Sequence, residues 1–79
     1  MKVYVVVIDI SYKFDNNIFV EVFKDRKKAE EFMLNTFKNE VNDTQYSIVE
    51  IDENICTAYD EGYFVENHCE IKIFDKIIK

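Results

Sequence analysis

Residues 25–41, DRKKAEEFMLNTFKNEV, decide the fold, because they carry the only clear helical period in the chain. The apolar and small side chains recur every three or four residues, which places them on one face of a helix: Ala29, Phe32, Met33, Thr36, Phe37 and Val41. Charged and amide side chains fill the other face: Arg26, Lys27, Glu30, Glu31, Lys38 and Asn39. Asp25 is the predicted N-cap, since its carboxylate can accept hydrogen bonds from the free amides of the first turn.

The segment before the helix predicts two paired strands. Residues 2–11 are nearly continuous Val, Ile and Tyr, which is typical of a central strand covered on both faces. Residues 18–23 predict a second strand, and Asn16-Asn17 predicts the hairpin turn between them, because Asn tolerates positive φ. We expect Phe32, Met33 and Phe37 to pack on Val5, Val7 and Val20 or on their strand neighbours.

The segment after the helix predicts two to four further strands. Residues 45–51 and 55–59 have strand composition, and residues 63–66 are expected to stay extended. Asn67-His68 interrupts the pattern, which favours a loop. Residues 70–73 alternate cleanly, and this predicts an edge strand with Ile71 and Ile73 pointing inward.

Together these segments predict a single α+β domain over residues 1–79. The expected architecture is an antiparallel sheet of four to five strands in ββαββ(β) order, with one amphipathic helix at about residues 25–41 packed on one face. Such a helix is roughly 25 Å long and can cover only one face of the sheet. The opposite face must then be covered either by the late strands curling back or by a second copy of the chain.

Composition excludes several broad classes. No run approaches the ~20 apolar residues of a membrane span. Asp9 interrupts the apolar start of the chain and no small-residue cleavage site follows it, so residues 1–10 predict a strand rather than a signal peptide. Without a secretion signal, the two cysteines are expected to be free thiols in a reducing compartment. The predicted location is the cytoplasm.

The negative charge is concentrated in one part of the sequence. Residues 1–40 hold seven acids and seven bases, whereas residues 41–70 hold eight acids and no Lys or Arg. These acids are the predicted partner-binding residues: Asp43, Glu50, Asp52, Glu53, Asp60, Glu61, Glu66 and Glu70. They could imitate nucleic-acid phosphates and occupy a basic groove on another protein. They could equally be a solvated face, because turns favour Asp and Glu.

A basic cluster surrounds the predicted helix N-terminus, where cations oppose the helix dipole: Lys24, Arg26, Lys27 and Lys28. Such a cluster could bind a phosphate or a carboxylate. It could also meet the acidic half of a neighbouring subunit, or pair with Glu30 and Glu31.

The chain shows no complete metal or nucleophile motif. Cys56, His68 and Cys69 are too few for a structural zinc site, which usually takes four ligands in paired short spacings. Adjacent residues on a strand point to opposite faces, so His68 and Cys69 cannot easily share a proton. Cys56 and His68 could still meet. We predict no catalytic residues, no metal and no cofactor.

The first forty residues resemble a pattern found in small proteins of phages and other mobile elements of low-GC bacteria. A hairpin that opens Met1-Lys2-Val3-Tyr4 leads through residues 20–28 into a helix with the core Lys28-Ala29-Glu30-Glu31. Some small acidic proteins of this kind, the anti-CRISPR and other anti-defence proteins among them, bind and block a host nuclease complex. The resemblance carries over no functional residue, because those binding surfaces differ between proteins.

These observations predict a non-enzymatic interaction protein. The first hypothesis is a phage-type inhibitor that binds a basic, nucleic-acid-handling host protein, such as a CRISPR nuclease complex, through residues 41–70. Direct binding of nucleic acid or of a membrane is not expected. The alternative is a small structural or regulatory homodimer with no decoy role. An enzyme ranks third, because no acid–base pair, nucleophile or cofactor loop can be identified.

Overall fold

The computed structural model describes residues 1–12, 15–43, 46–60 and 67–78, which form one antiparallel sheet with one helix on it. The elements are β1 (Lys2–Tyr12), β2 (Asp15–Phe23), α1 (Arg26–Asp43), β3 (Ile48–Ile51), β4 (Ile55–Tyr59) and β5 (Asn67–Ile77). The strands lie in the order β2-β1-β5-β4-β3. The predicted α+β class is therefore confirmed. The order of the strands across the sheet is not exactly the predicted ββαββ(β) order, because β5 lies between β1 and β4.

Helix α1 begins where the sequence predicts. The Asp25 carboxylate accepts a hydrogen bond from the Lys27 amide at 2.8 Å, so Asp25 is the N-cap. Ala29, Met33 and Phe37 are buried on the sheet side of the helix. The helix continues to Asp43, two residues past the predicted end.

The core lies between α1 and one face of the three central strands. Its sheet side consists of alternate residues of β1, β5 and β4: Val6, Ile8, Ile71, Ile73, Cys69, Cys56 and Ala58. Full burial of a side chain such as Ile71 contributes about 1.5–3 kcal/mol to folding. Because strand side chains alternate between faces, the residues packed on α1 are Val6 and Ile8, not Val5 and Val7. Val20 likewise lies on the other face and is 56% exposed, so its predicted burial against the helix is wrong.

The prediction of an edge strand at residues 70–73 is also wrong. These residues belong to β5, which pairs with β1 on one side and β4 on the other. Their apolar and polar side chains alternate because α1 covers only one face of the sheet. In such a sheet a central strand has the same alternating pattern as an edge strand. His68 lies within β5 rather than in a loop. The predicted central position of β1 is confirmed by its pairing with β2 and β5.

The late strands do not curl back over the second face. β3, β4 and β5 all lie in the same sheet as β1, and no described helix or strand packs on the face opposite α1, although Val3 on that face is buried. This surface is called the open face below. The other predicted source of cover, a second copy, is taken up below.

Two local predictions need adjustment. Strand β2 begins at Asp15, and Asn16 and Asn17 pair with Ser11 and Ile10 of β1, so they lie in the strand rather than in the turn. Strand β3 begins at Ile48, three residues after the predicted start. The extended segment expected at residues 63–66 lies outside the described residues.

Candidate functional site

The open face carries an exposed apolar surface on its β2 side. Ile18, Val20 and Val22 are 61%, 56% and 56% exposed, and they lie in a row along β2. Across the sheet, Val22 pairs with Val5 of β1, which in turn pairs with Phe74 of β5. Phe74 is 46% exposed. Contiguous apolar surface of this kind is typical of a contact site for another macromolecule.

Strand β2 is exposed along its edge as well as on the open face. Its only strand partner among the described residues is β1, so one row of its backbone N–H and C=O groups faces outward. Phe19, on the helix side of β2, is 54% exposed. An edge strand of nine residues with apolar side chains on both faces is a template for pairing with another strand.

The acidic residues do not form one surface. Glu50, Asp52 and Glu53 are exposed around the β3–β4 turn, a group called the acidic turn below. Asp60 lies beyond the opposite end of β4, roughly 17 Å away along a five-residue strand. There it accepts hydrogen bonds from Ser47 and Asn67.

The other acids predicted to bind a partner lie away from the acidic turn or outside the residues that the structure describes. Glu70 lies in the middle of the sheet on the open face, where the ammonium of Lys72 is 3.3 Å from one of its oxygens. Asp43 ends α1, and its side chain is not described. Glu61 and Glu66 lie outside the described residues.

The acidic turn borders an open groove between α1 and β3. Its walls are three acids and three apolar side chains: Glu30, Asp52, Glu53, Met33, Leu34 and Ile51. Arg26, from the predicted basic cluster, pairs with Glu30 at 2.8 Å and donates a hydrogen bond to the side-chain amide oxygen Oδ1 of Asn54 at 2.7 Å. Arg26 thus links the N-terminus of the helix to the acidic turn. The predicted pairing of the basic cluster with Glu30 is confirmed.

A polar cluster lies in the middle of the open face, formed by Asp9, His68 and Glu70. One ligand atom from each side chain lies within 4.8 Å of the others. The Asp9 and Glu70 positions are direct cross-strand partners, and His68 is two residues from Glu70 on the same strand. Sequence reasoning treated Asp9 only as an interruption of an apolar strand. A lone carboxylate in the middle of a central strand was the signal that could have identified it.

The two cysteines lie on the other side of the sheet, under α1. Both are buried, free thiols. Burial raises the pKa of Cys56, and it raises the pKa of Cys69 to about 12, with smaller contributions from the nearby Glu40, Cys56 and Asp9. His68 faces away from both thiols, so the prediction that His68 and Cys69 point to opposite faces is confirmed. The geometry also separates Cys56 from His68.

Comparison with known proteins yields no match to a family model, to a curated protein or to a solved structure. The resemblance to phage proteins therefore stays a prediction. None of the described helical residues form a segment long and apolar enough to cross a bilayer.

Proposed function

We propose that the chain is a non-enzymatic interaction protein whose principal contact is a second copy of itself, paired along β2. The observation that carries this proposal is the β2 edge, which is unpaired within the described residues and bears exposed apolar side chains on both faces. Edge pairing brings the apolar side chains of two β2 strands side by side, which removes part of their surface from water, and the outward-facing backbone groups supply directional hydrogen bonds.

The side chains of β2 favour a second copy as the occupant. Ile18, Val20 and Val22 are symmetric about Val20. An antiparallel pair of β2 strands with its twofold axis at Val20 places Val20 opposite its own copy and Ile18 opposite Val22 of the partner subunit. On the other face, the same register places Phe19 opposite Glu21 of the partner subunit. Such a self-complementary patch is what an isologous interface requires.

Packing the two open faces directly on each other is a less favourable arrangement. It would bury Asp9, Glu70 and Lys72, and removal of charged groups from water is costly. Pairing through the β2 edge leaves these side chains in water. It produces a continuous ten-stranded sheet with the two helices on the same side.

The test is the mass in solution. Light scattering of wild-type protein at about 100 µM should give twice the chain mass. Val20→Lys should give a monomer, because two ammonium groups would face each other across the twofold axis. Ile51→Lys is the matched control: Ile51 is also an exposed residue of an edge strand, but on β3. A monomeric wild type, or a Val20→Lys protein that remains dimeric, would overturn the proposal.

A second candidate function rests on the groove beside the acidic turn. Asp52 and Glu53, next to Met33, Leu34 and Ile51, fit a Lys or Arg side chain, whose apolar stem can pack while its cation meets the two acids. The third acid of the groove, Glu30, already pairs with Arg26. This groove supports the hypothesis of a basic, nucleic-acid-handling partner, which an inhibitor of the anti-CRISPR type would block.

A further inference from the structure

The polar cluster on the open face contains an electrostatic conflict. Asp9 and Glu70 lie directly opposite each other on neighbouring strands, and like charges in that position are destabilising. Oδ1 of Asp9 is shielded from solvent and has no hydrogen-bond partner among the described residues. A shielded carboxylate oxygen without a donor costs free energy unless a cation or another donor satisfies it.

The nearby ammonium group of Lys72 offsets only part of the negative charge of Asp9 and Glu70. The Lys72 ammonium is 3.3 Å from Oε1 of Glu70. The other oxygen of Glu70, Oε2, is 3.9 Å from Nε2 of His68. The imidazole of His68, Oε2 of Glu70 and the carboxylate of Asp9 thus lie close together, and Lys72 contacts the other oxygen of Glu70.

We propose that Asp9, His68 and Glu70 bind a divalent transition-metal ion of the Zn²⁺ class. One imidazole nitrogen and two carboxylate oxygens are a donor set that first-row transition metals accept, whereas Ca²⁺ and Mg²⁺ prefer oxygen ligands alone. The ligand atoms lie within 4.8 Å of one another, so small side-chain rotations bring all three to about 2.0–2.2 Å from a common ion.

Such an ion would resolve both parts of the conflict. It provides a positive charge between the two facing carboxylates and a partner for Oδ1 of Asp9. Three protein ligands leave at least one coordination position for water, because Zn²⁺ takes four or more ligands. His68 and Glu70 are partly exposed, with side chains 31% and 25% accessible, so an ion can enter from solvent.

The site is independent of the proposed dimer. Asp9 lies on β1, and Glu70 and His68 lie on β5, whereas the β2 edge is one strand further out than β1. The open face on which they lie is left uncovered by pairing along β2. A failure of metal binding and a failure of dimerisation are therefore separate results, one measured by ion titration and the other by mass.

The test is a calorimetric titration of ZnCl₂ into protein without an affinity tag. Wild-type protein should bind one Zn²⁺ per chain. Asp9→Asn and His68→Gln should each weaken binding by at least about tenfold, since even an outer-sphere partner of a metal ligand is worth that much. Glu50→Gln is the matched control, because Glu50 lies on the same face in the register row of Glu70, two strands away, and it should bind like wild type.

A second measurement locates the ion. His68 is the only histidine in the chain, so its imidazole signals in a ¹⁵N NMR spectrum are assigned without ambiguity. One equivalent of Zn²⁺ should shift them, whereas Zn²⁺ held by the thiols of Cys56 and Cys69 would leave them unmoved. Unmoved signals, or Asp9→Asn and His68→Gln proteins that bind Zn²⁺ as tightly as wild type, would overturn the proposal.

The variants also separate a metal ligand from a structural residue. Without metal, Asp9→Asn should melt no lower than wild type, because the substitution removes one of two facing charges. Addition of Zn²⁺ should raise the melting temperature of wild type and not that of Asp9→Asn. A wild-type melting temperature that does not respond to Zn²⁺ contradicts the proposal.

Discussion

Among the side chains that the structure describes, Phe37 is the largest that is fully buried, and it lies in the contact between α1 and the sheet. Truncation to Ala removes most of that contact and leaves a cavity that the surrounding core fills only in part. Phe37→Ala should therefore lower the free energy of unfolding by about 3–5 kcal/mol. That is a large part of the total stability of a small domain, roughly 5–15 kcal/mol.

Urea denaturation measures this change directly. Phe74→Ala is the control, because Phe74 loses the same atoms from a half-exposed position on the open face. Its effect should be well below that of Phe37→Ala. Equal effects at the two positions would mean that the assignment of the buried face of α1 is wrong.

The thiols of Cys56 and Cys69 should be inert in the folded protein. Because burial raises the pKa of both groups, each remains protonated at pH 8, and the thiol is a poor nucleophile compared with the thiolate. A disulfide reagent such as DTNB should react slowly in native buffer and rapidly with both groups in urea. Rapid reaction in native buffer would contradict the burial of these residues.

The same pKa shift predicts the direction of a stability change at high pH. A thiol in the unfolded chain ionises near its ordinary pKa of about 9, whereas folded Cys69 holds its proton until the pH reaches about 12. Between these values the folded state binds more protons, so stability falls as the pH rises. Cys69→Ala should show a smaller loss of stability than wild type between pH 9 and pH 11, measured by urea denaturation.

At the residue scale, the sequence predicts the features that depend only on residues close together along the chain. The N-cap at Asp25 and the buried stripe through Ala29, Met33 and Phe37 follow from a 3.6-residue period and from the hydrogen-bonding needs of a helix end. The role of Asp9 does not follow from local order. Its neighbours in space, His68 and Glu70, are about sixty residues away in the sequence, and only the strand register brings them together.

At the scale of the elements, the β2 edge yields a hydrogen-exchange prediction. Alternate β2 amides point away from β1, and in a monomer they should exchange quickly. Pairing of two β2 strands would protect them, and the protection should increase with protein concentration. Amides on the outer edge of β3 serve as the internal control, because that edge stays unpaired in the proposed dimer. Concentration-independent exchange along β2 would contradict the pairing.

The types of the elements were predictable, but the order of the strands was not. Alternation and β-branched residues identified strands, and the helical period identified α1. The position of β5 depends on pairings such as that between Lys2 and Ile77, which no local pattern encodes. Since α1 covers only one face, the central strand β5 has the alternation of an edge strand, and this is the reason for the wrong assignment.

At the scale of the whole molecule, the charges predict how a basic partner would bind. Contacts between the acidic turn and such a partner should weaken as salt rises from roughly 50 to 200 mM, since salt screens exposed charge pairs. The triple variant Glu50→Gln, Asp52→Asn, Glu53→Gln should lose the partner. A duplex oligonucleotide should displace wild-type protein from it. Pull-down from a host lysate at the two salt concentrations, with and without the oligonucleotide, measures all three effects.

The control for this experiment is a second triple variant with the same net charge as the first. Asp15→Asn, Glu21→Gln and Glu31→Gln remove three exposed acids outside residues 41–70. This variant should retain the partner. Equal loss of binding in the two triple variants would mean that overall charge, and not the acidic turn, attracts the partner. In a dimer paired through β2, the two acidic turns would lie at opposite ends of a sheet about 43 Å wide.

The pairing of β1 with β5 has a consequence for synthesis on the ribosome. Of the described strands, β1 emerges first and β5 last, yet they lie side by side in the sheet. Until β5 leaves the exit tunnel, β1 can pair only with β2. The edge of β1 that pairs with β5 in the folded sheet has no strand to bond to during this time. The nascent hairpin and helix therefore cannot complete the core. The core can therefore form only after β5 has left the ribosome.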